Sequence, residues 1–174
     1  MGPLSLDKAM IVQNLYGNAP LTAVALFDTE AACDVTVTVH GKTPEADITY
    51  TVGDVVTQHR VPIFGLYAGL ENRVTITAGG ESYDHYITAD PIPDTVAIEI
   101  TADPNNQTTE IADGQLYMLR ETYYTVFDVN GDVRWYLGDS YSSETCEEPS
   151  GAVVVDEDMS GFWFGCHPNT GNPY

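Results

Sequence analysis

Residues 34–39 read Asp34-Val35-Thr36-Val37-Thr38-Val39, and this stretch decides the fold. Val35, Val37 and Val39 fall on one side of an extended chain and Thr36 and Thr38 on the other, the two-residue period of a half-buried strand. The same alternation recurs in DITYTV at 47–52, RVTITA at 73–78, YDHYIT at 83–88 and VAIEIT at 96–101, and LTAVALF at 21–27 reads as a further strand upstream. Turn signals separate these runs at His40-Gly41-Lys42, Val52-Gly53-Asp54 and Ala78-Gly79-Gly80-Glu81. About seven short strands before residue 100, with turns roughly every eight to twelve residues, predict an antiparallel β-sandwich of immunoglobulin-like type. No window carries the helical period, so helices should be few.

Two proline-bearing segments mark a change of rhythm, ADPIPDT at 89–95 and ADPNNQT at 102–108. They divide the chain into an N-terminal sandwich, 1–95, and a second part, 96–174, of linker and hairpins. In the second part QLYML at 115–119 and YYTVF at 123–127 are candidate strands. They lead into DVNGDVRWYL, where Asn130-Gly131 predicts a tight hairpin of type I′. The acidic, serine-rich 138–150 reads as a loop, and AVVV with FWFGC as a last hairpin turning over Asp156 to Gly161. Paired hairpins ending in aromatic-rich strands resemble the first blade of a β-propeller, which buries its faces against neighbouring blades. The fold class is therefore all-β: an immunoglobulin-like antiparallel sandwich followed by blade-like hairpins.

Charge excludes several functions. The 174 residues hold 26 Asp and Glu against 6 Lys and Arg, a formal net charge of -20. Such a surface repels nucleic-acid phosphates and anionic lipid headgroups, so no nucleic acid is expected as a partner. No apolar run approaches the roughly 18 residues of a membrane helix, so no membrane insertion is expected. The opening MGPLSLDKAMIVQN has no basic n-region and does not read as a signal peptide.

Residues 14–27, NLYGNAPLTAVALF, resemble the opening of the bacterial arylsulfate sulfotransferase family, with Leu15 standing where that family usually has proline. VTVTVHGK at 35–42, VPIFGLYAGLENRVTI at 61–76 and FDVNGDVRWYL at 127–137 resemble it too, in the same order. The resemblance implies an N-terminal β-sandwich leading into a β-propeller, in an exported protein of the periplasm or the extracellular space. It implies transfer of sulfuryl groups between phenolic esters and phenols through a histidine nucleophile. The family's catalytic residues belong to later blades, past Tyr174. His40, His59, His85 and His167 match none of its catalytic motifs, so no catalytic, cofactor or metal residue is carried over and no cofactor is expected. A phenolic sulfate substrate is expected only where the remaining propeller is present.

The residues themselves offer a few further readings. His40, His59 and His85 lie in or beside strands and turns without metal-ligand spacing, and read as surface or packing residues. Cys166-His167 follows an aromatic strand and could act as a nucleophile pair; alternatively Cys166 forms a disulfide with Cys146, with Cys33 left as a buried free thiol. Asp156-Glu157-Asp158-Met159-Ser160-Gly161 begins like a calcium-binding EF-hand loop. His167 stands where that loop needs a bidentate Glu, so an acidic hairpin turn is the better reading. Asp128, Asn130 and Asp132 are likewise explained by the Asn-Gly turn, and Asn106-Gln107-Thr108 is a glycosylation sequon. The eleven tyrosines, Tyr123, Tyr124 and Tyr136 among them, suit strand faces. Homo-oligomerisation through the sandwich or through open sheet edges is expected, either as the scaffold and dimerisation part of a sulfotransferase or in a stand-alone extracellular adhesion or filament subunit.

Overall fold

The computed structural model describes residues 4–15, 17, 19–94, 116–120, 124–136, 154–155 and 162–163. The first sheet has five antiparallel strands: β1 (Met10–Gln13), β2 (Thr22–Val39), β3 (Ile48–Phe64), β4 (Glu71–Ala78) and β5 (Glu81–Thr88). Single-turn 3-10 helices at Leu6–Lys8 and Pro44–Ala46 are the only helices among the described residues. The all-β expectation holds.

Two of the strands are longer than expected. LTAVALF and DVTVTV are both parts of β2, which is 18 residues long, and DITYTV continues into β3, which is 17. Val52-Gly53-Asp54 is therefore not a turn. Gly53 lies inside β3 with open space where a side chain would stand, the position of an irregular strand rather than a reversal.

The β2–β3 ladder builds both layers. Its first half pairs Thr22 with Phe64 through Asp28 with Gln58, and its second pairs Val35 with Val52 through Val39 with Ile48. Between these halves only Cys33 pairs with Val56: β2 has three extra residues before that pair and β3 has two after it, so the register shifts twice and β2 carries a net excess of one residue where the ladder bends. The bend turns the sheet upon itself: Tyr50 Oη donates to the carbonyl of Pro62 in the same strand, and the Tyr50 and Phe64 rings stack at 4.3 Å. β1 flanks the first half of β2, while β4 and then β5 flank the second. Among the described residues no strand pairs with β3 on the side away from β2. Pro62, which has no N–H to give, is tolerated in such an edge strand.

Alternation fills the interior. Ala23, Ala25 and Phe27 from one half of β2 and Val35, Val37 and Val39 from the other join Val61, Ile63, Val74, Ile76 and Ile87 in one buried cluster. Each large aliphatic removed from water stabilises the fold by about 1.5–3 kcal/mol. The outward residues are polar: Thr36 bonds Thr51, Thr38 bonds Thr49 and Thr77 bonds Ser82.

A second antiparallel sheet of β6 (Tyr117–Arg120), β7 (Tyr124–Phe127) and β8 (Val133–Tyr136) follows, and β9 (Val154–Val155) pairs with β10 (Phe162–Trp163). Leu116, Val126, Trp135 and Tyr136 belong to the same core cluster as the first sheet, so the second sheet packs on the first. The expected strand at 96–101, the 138–150 loop, the Asp156–Gly161 turn and Asn106 lie outside the described residues.

Ile76→Ala, which truncates a fully buried side chain, should lower unfolding free energy by about 2–5 kcal/mol in urea titration. Thr36→Ala on the outer face should cost under about 1 kcal/mol.

Candidate functional site: the seam between the sheets and the open edge

The Asn130-Gly131 signal marks a hairpin between β7 and β8, but not a type I′ one. Gly131 has φ 81° while Asn130 keeps negative φ. The Gly131 amide donates to Asp128 O and the Asp128 amide to Asp132 O, both at 2.9 Å. This is the three-residue loop, a type I turn closed by a left-handed glycine. The Asp128 side chain selects it, because Oδ1 accepts from the amides of Asn130 at 3.0 Å and Asp132 at 3.1 Å.

The other oxygen of Asp128 is committed to the seam. Oδ2 accepts from Arg134 Nη1 at 2.9 Å and from Tyr67 Oη at 2.8 Å. Arg134 is 0 % exposed. Its Nε donates to Gly65 O at 2.7 Å, and Nη1 also reaches Ala46 O at 2.9 Å and Tyr67 Oη at 2.8 Å. The guanidinium lies 4.0 Å from the centre of the Tyr67 ring, within cation–π range. Burial raises the Tyr67 hydroxyl well above the ordinary phenol range, with the Arg134 charge opposing, so this hydroxyl stays a donor to Asp128.

The first sheet prepares this socket locally. Asn72 Oδ1 accepts from Tyr67 N at 2.6 Å, and Asn72 Nδ2 donates to Tyr67 O at 3.0 Å, which pins the turn that presents Tyr67. Gly65 has φ +84°, and a Cβ there would run into Ile48 Cδ1. At the rim Lys42 Nζ pairs with Asp132 at 2.6 Å, and Asn130 Nδ2 reaches Thr43 Oγ1 at 3.3 Å. The chemistry is adhesive: a buried ion pair with its hydrogen bonds supplied from two sheets fixes one orientation of the hairpin.

The open edge is the second feature. Residues 53–58 of β3 are all exposed, and Val55 and Val56 stand 64 % and 41 % exposed at its middle. An unpaired row of backbone donors and acceptors with consecutive exposed valines is a template for another strand.

The histidines are dispersed. His40 Nε2 meets Thr75 Oγ1 at 2.8 Å on the outer face, and His59 lies buried in β3 against Phe27. His85 lies in β5, its Nε2 buried without a hydrogen-bond partner among the described residues. Cys33 is a free thiol, partly exposed rather than buried, and it packs against the edge of the core cluster. Cys146, Cys166, His167 and Tyr123 lie outside the described residues. Tyr67 and Arg134 are the residues that sequence reasoning passed over. The available signal was an arginine set among apolar residues in Val133-Arg134-Trp135-Tyr136, shortly after an Asp.

The class of protein follows: an immunoglobulin-like sandwich locked through a buried ion pair to a second antiparallel sheet. Residues 10–95 match the family described as the arylsulfotransferase Ig-like domain. Residues 10–95 thus carry the Ig-like domain of the arylsulfate sulfotransferase family. Arylsulfate sulfotransferase AssT of Escherichia coli O6:H1 is 46 % identical over 69 residues, 38 % of this chain and 12 % of that protein. AssT of Lelliottia amnigena is 45 % identical over 69 residues, with the same 38 % and 12 % covered. The shared stretch is thus a small part of either relative.

Asp128→Asn should destabilise the chain by about 3–5 kcal/mol in urea titration, because it leaves Arg134 buried without its counter-charge. Asp128→Asn with Arg134→Met should recover part of that loss. Burial lowers the basicity of His59, with Asp28 opposing, and lowers that of His85, against the Leu6 backbone, Asp84 and Asp7. The fold therefore prefers both rings neutral. Their contribution to stability is complete above the ordinary value of 6.5 and is lost as pH falls through the lowered folded values. Urea midpoints should fall from about pH 6.5 downwards, and His59→Gln with His85→Gln should flatten that slope.

Proposed function

We propose that this chain is the scaffold and dimerisation part of an arylsulfate sulfotransferase-like protein. The carrying observation is the uncovered β3 edge, with Val55 and Val56 exposed, on a domain of that family. Two copies would pair β3 with β3 about a two-fold axis, each strand supplying the ladder bonds the other lacks. The sheet of β6, β7 and β8 is then the start of a propeller, held to the sandwich at residues 1–95 by Asp128 and Arg134. Sulfuryl transfer between phenolic esters and phenols would belong to a histidine outside this chain. The compartment is periplasmic or extracellular. No helix among the described residues is long and apolar enough to cross a membrane, which is compatible with that reading.

Sedimentation equilibrium at micromolar concentration should give a dimer, which Val55→Lys with Val56→Lys dissociates. Polymers that lengthen with concentration would instead support the filament-subunit reading, and a wild-type monomer would sink edge pairing. The intact mass of the natively produced protein tests the enzyme context. A mass well above 18.9 kDa supports it, and a mass of 18.9 kDa overturns it.

A further inference from the structure

The irregular middle of the β2–β3 ladder gathers a thiol, an imidazole and a hydroxyl. Cys33 Sγ lies 3.8 Å from His59 Nε2 and 3.8 Å from Thr29 Oγ1. Thr29 Oγ1 is itself 2.8 Å from the same Nε2 and 2.9 Å from Ala31 O. The imidazole cannot wander. It is 6 % exposed and stacked on Phe27 at 4.7 Å between ring centres, with the planes 22° apart. The thiol is reachable, for Cys33 is partly exposed.

A nucleophile within hydrogen-bond reach of a base, itself fixed by a third group, is the arrangement that activates cysteine. Thr29 makes both charge states of the pair comfortable. With the imidazole neutral, the hydroxyl can donate to Nε2. Once Nε2 takes the thiol proton, the hydroxyl can turn to Ala31 O and accept from the imidazolium, and the Asp28 carboxylate favours that cation. Cys33 also packs against the core cluster, but space-filling alone does not call for a hydroxyl and an imidazole beside the thiol.

We propose that Cys33 is a thiol–disulfide exchange site that takes small disulfides at the irregular middle of the long hairpin. His59 Nε2 accepts the Cys33 proton, and Sγ attacks one sulfur of the disulfide RSSR. The Cys33–SR bond forms as the S–S bond breaks, and the departing thiolate takes the proton from His59 and leaves as RSH. The small disulfide is the oxidant and Cys33 the reductant. With a net charge of -20 on the chain, cationic disulfides approach most readily.

The test uses the whole chain and cystamine at neutral pH, with peptide mass mapping to follow Cys33 apart from Cys146 and Cys166. Native Cys33 should form its mixed disulfide about five- to tenfold faster than the same residue in the urea-unfolded chain. The rate gain comes from a base placed to take the proton as Sγ attacks. His59→Gln should bring the native rate down to the unfolded rate or below, and Thr29→Val should slow it several-fold. Native Cys33 reacting no faster than unfolded Cys33, or a folded His59→Gln chain reacting as fast as wild type, overturns the proposal. Should His59→Gln fail to fold, the comparison of native with unfolded wild type decides alone.

Discussion

Both layers of the sandwich hang on one ladder. β2 and β3 stay hydrogen-bonded from Thr22 with Phe64 to Val39 with Ile48, and the extra residue of β2 between Asp28 and Val35 converts one sheet into two faces. In a sandwich of separate hairpins, side-chain packing alone holds the layers together. Here the backbone does part of that work, and Tyr50 closes the bend by bonding back to Pro62. The cost is an irregular middle. Asp28 to Val35 and Val52 to Gln58 have few ladder pairs, so their side chains are freed from the core. Cys33, His59, Val55 and Val56 all stand on or beside that stretch, and both features with something to offer a partner arise from the same bend.

The second dependence is electrostatic and runs through residues far apart in sequence. Arg134 from β8 is neutralised by Asp128 from its own hairpin, and its Nε and Nη1 also donate to Gly65, Ala46 and Tyr67 of the sandwich, while Nη2 is buried without a hydrogen-bond partner among the described residues. A pair of apolar side chains could bury as much area, but would tolerate sliding. The planar fork of the guanidinium fixes angle as well as distance, so the hairpin docks in one way. Gly65 and Asn72 belong to this device although neither carries charge. The glycine leaves room beside Ile48 and the amide fixes the turn that lifts Tyr67 into place.

The alternating aliphatic residues and threonines of β2 and β4 made the sandwich legible, because a strand with one wet face has a strong two-residue period. The long ladder was not legible. Residues 53–58 lie exposed on both sides, so selection for alternation is absent there, and Gly53 imitates a turn. The hairpin at Asn130-Gly131 was legible as a reversal, but its type was decided by a side chain two residues earlier. Asp128 holds the amides of Asn130 and Asp132, which a dipeptide signal does not contain. Arg134 was hidden for a different reason: an arginine in a strand reads as surface, and only its long-range partners make burial tolerable. The pairing of Cys33 with His59 is equally a product of register, since 26 residues separate them in the chain.

The charge of the chain sets how these elements can be combined. Six cationic side chains serve 26 acidic ones, and two of the six are placed at the seam. Arg134 is sealed in the seam, Lys42 ties its rim to Asp132, and Arg73 lies between His40 and Asp84 on the outer face. Repulsion among the remaining carboxylates is softened by salt over about a Debye length, but the buried pair is screened far less. The seam can therefore hold where the surface is crowded with like charge. In this chain the scarce positive charge acts less as a recognition surface than as the means by which one acidic sheet is held against another.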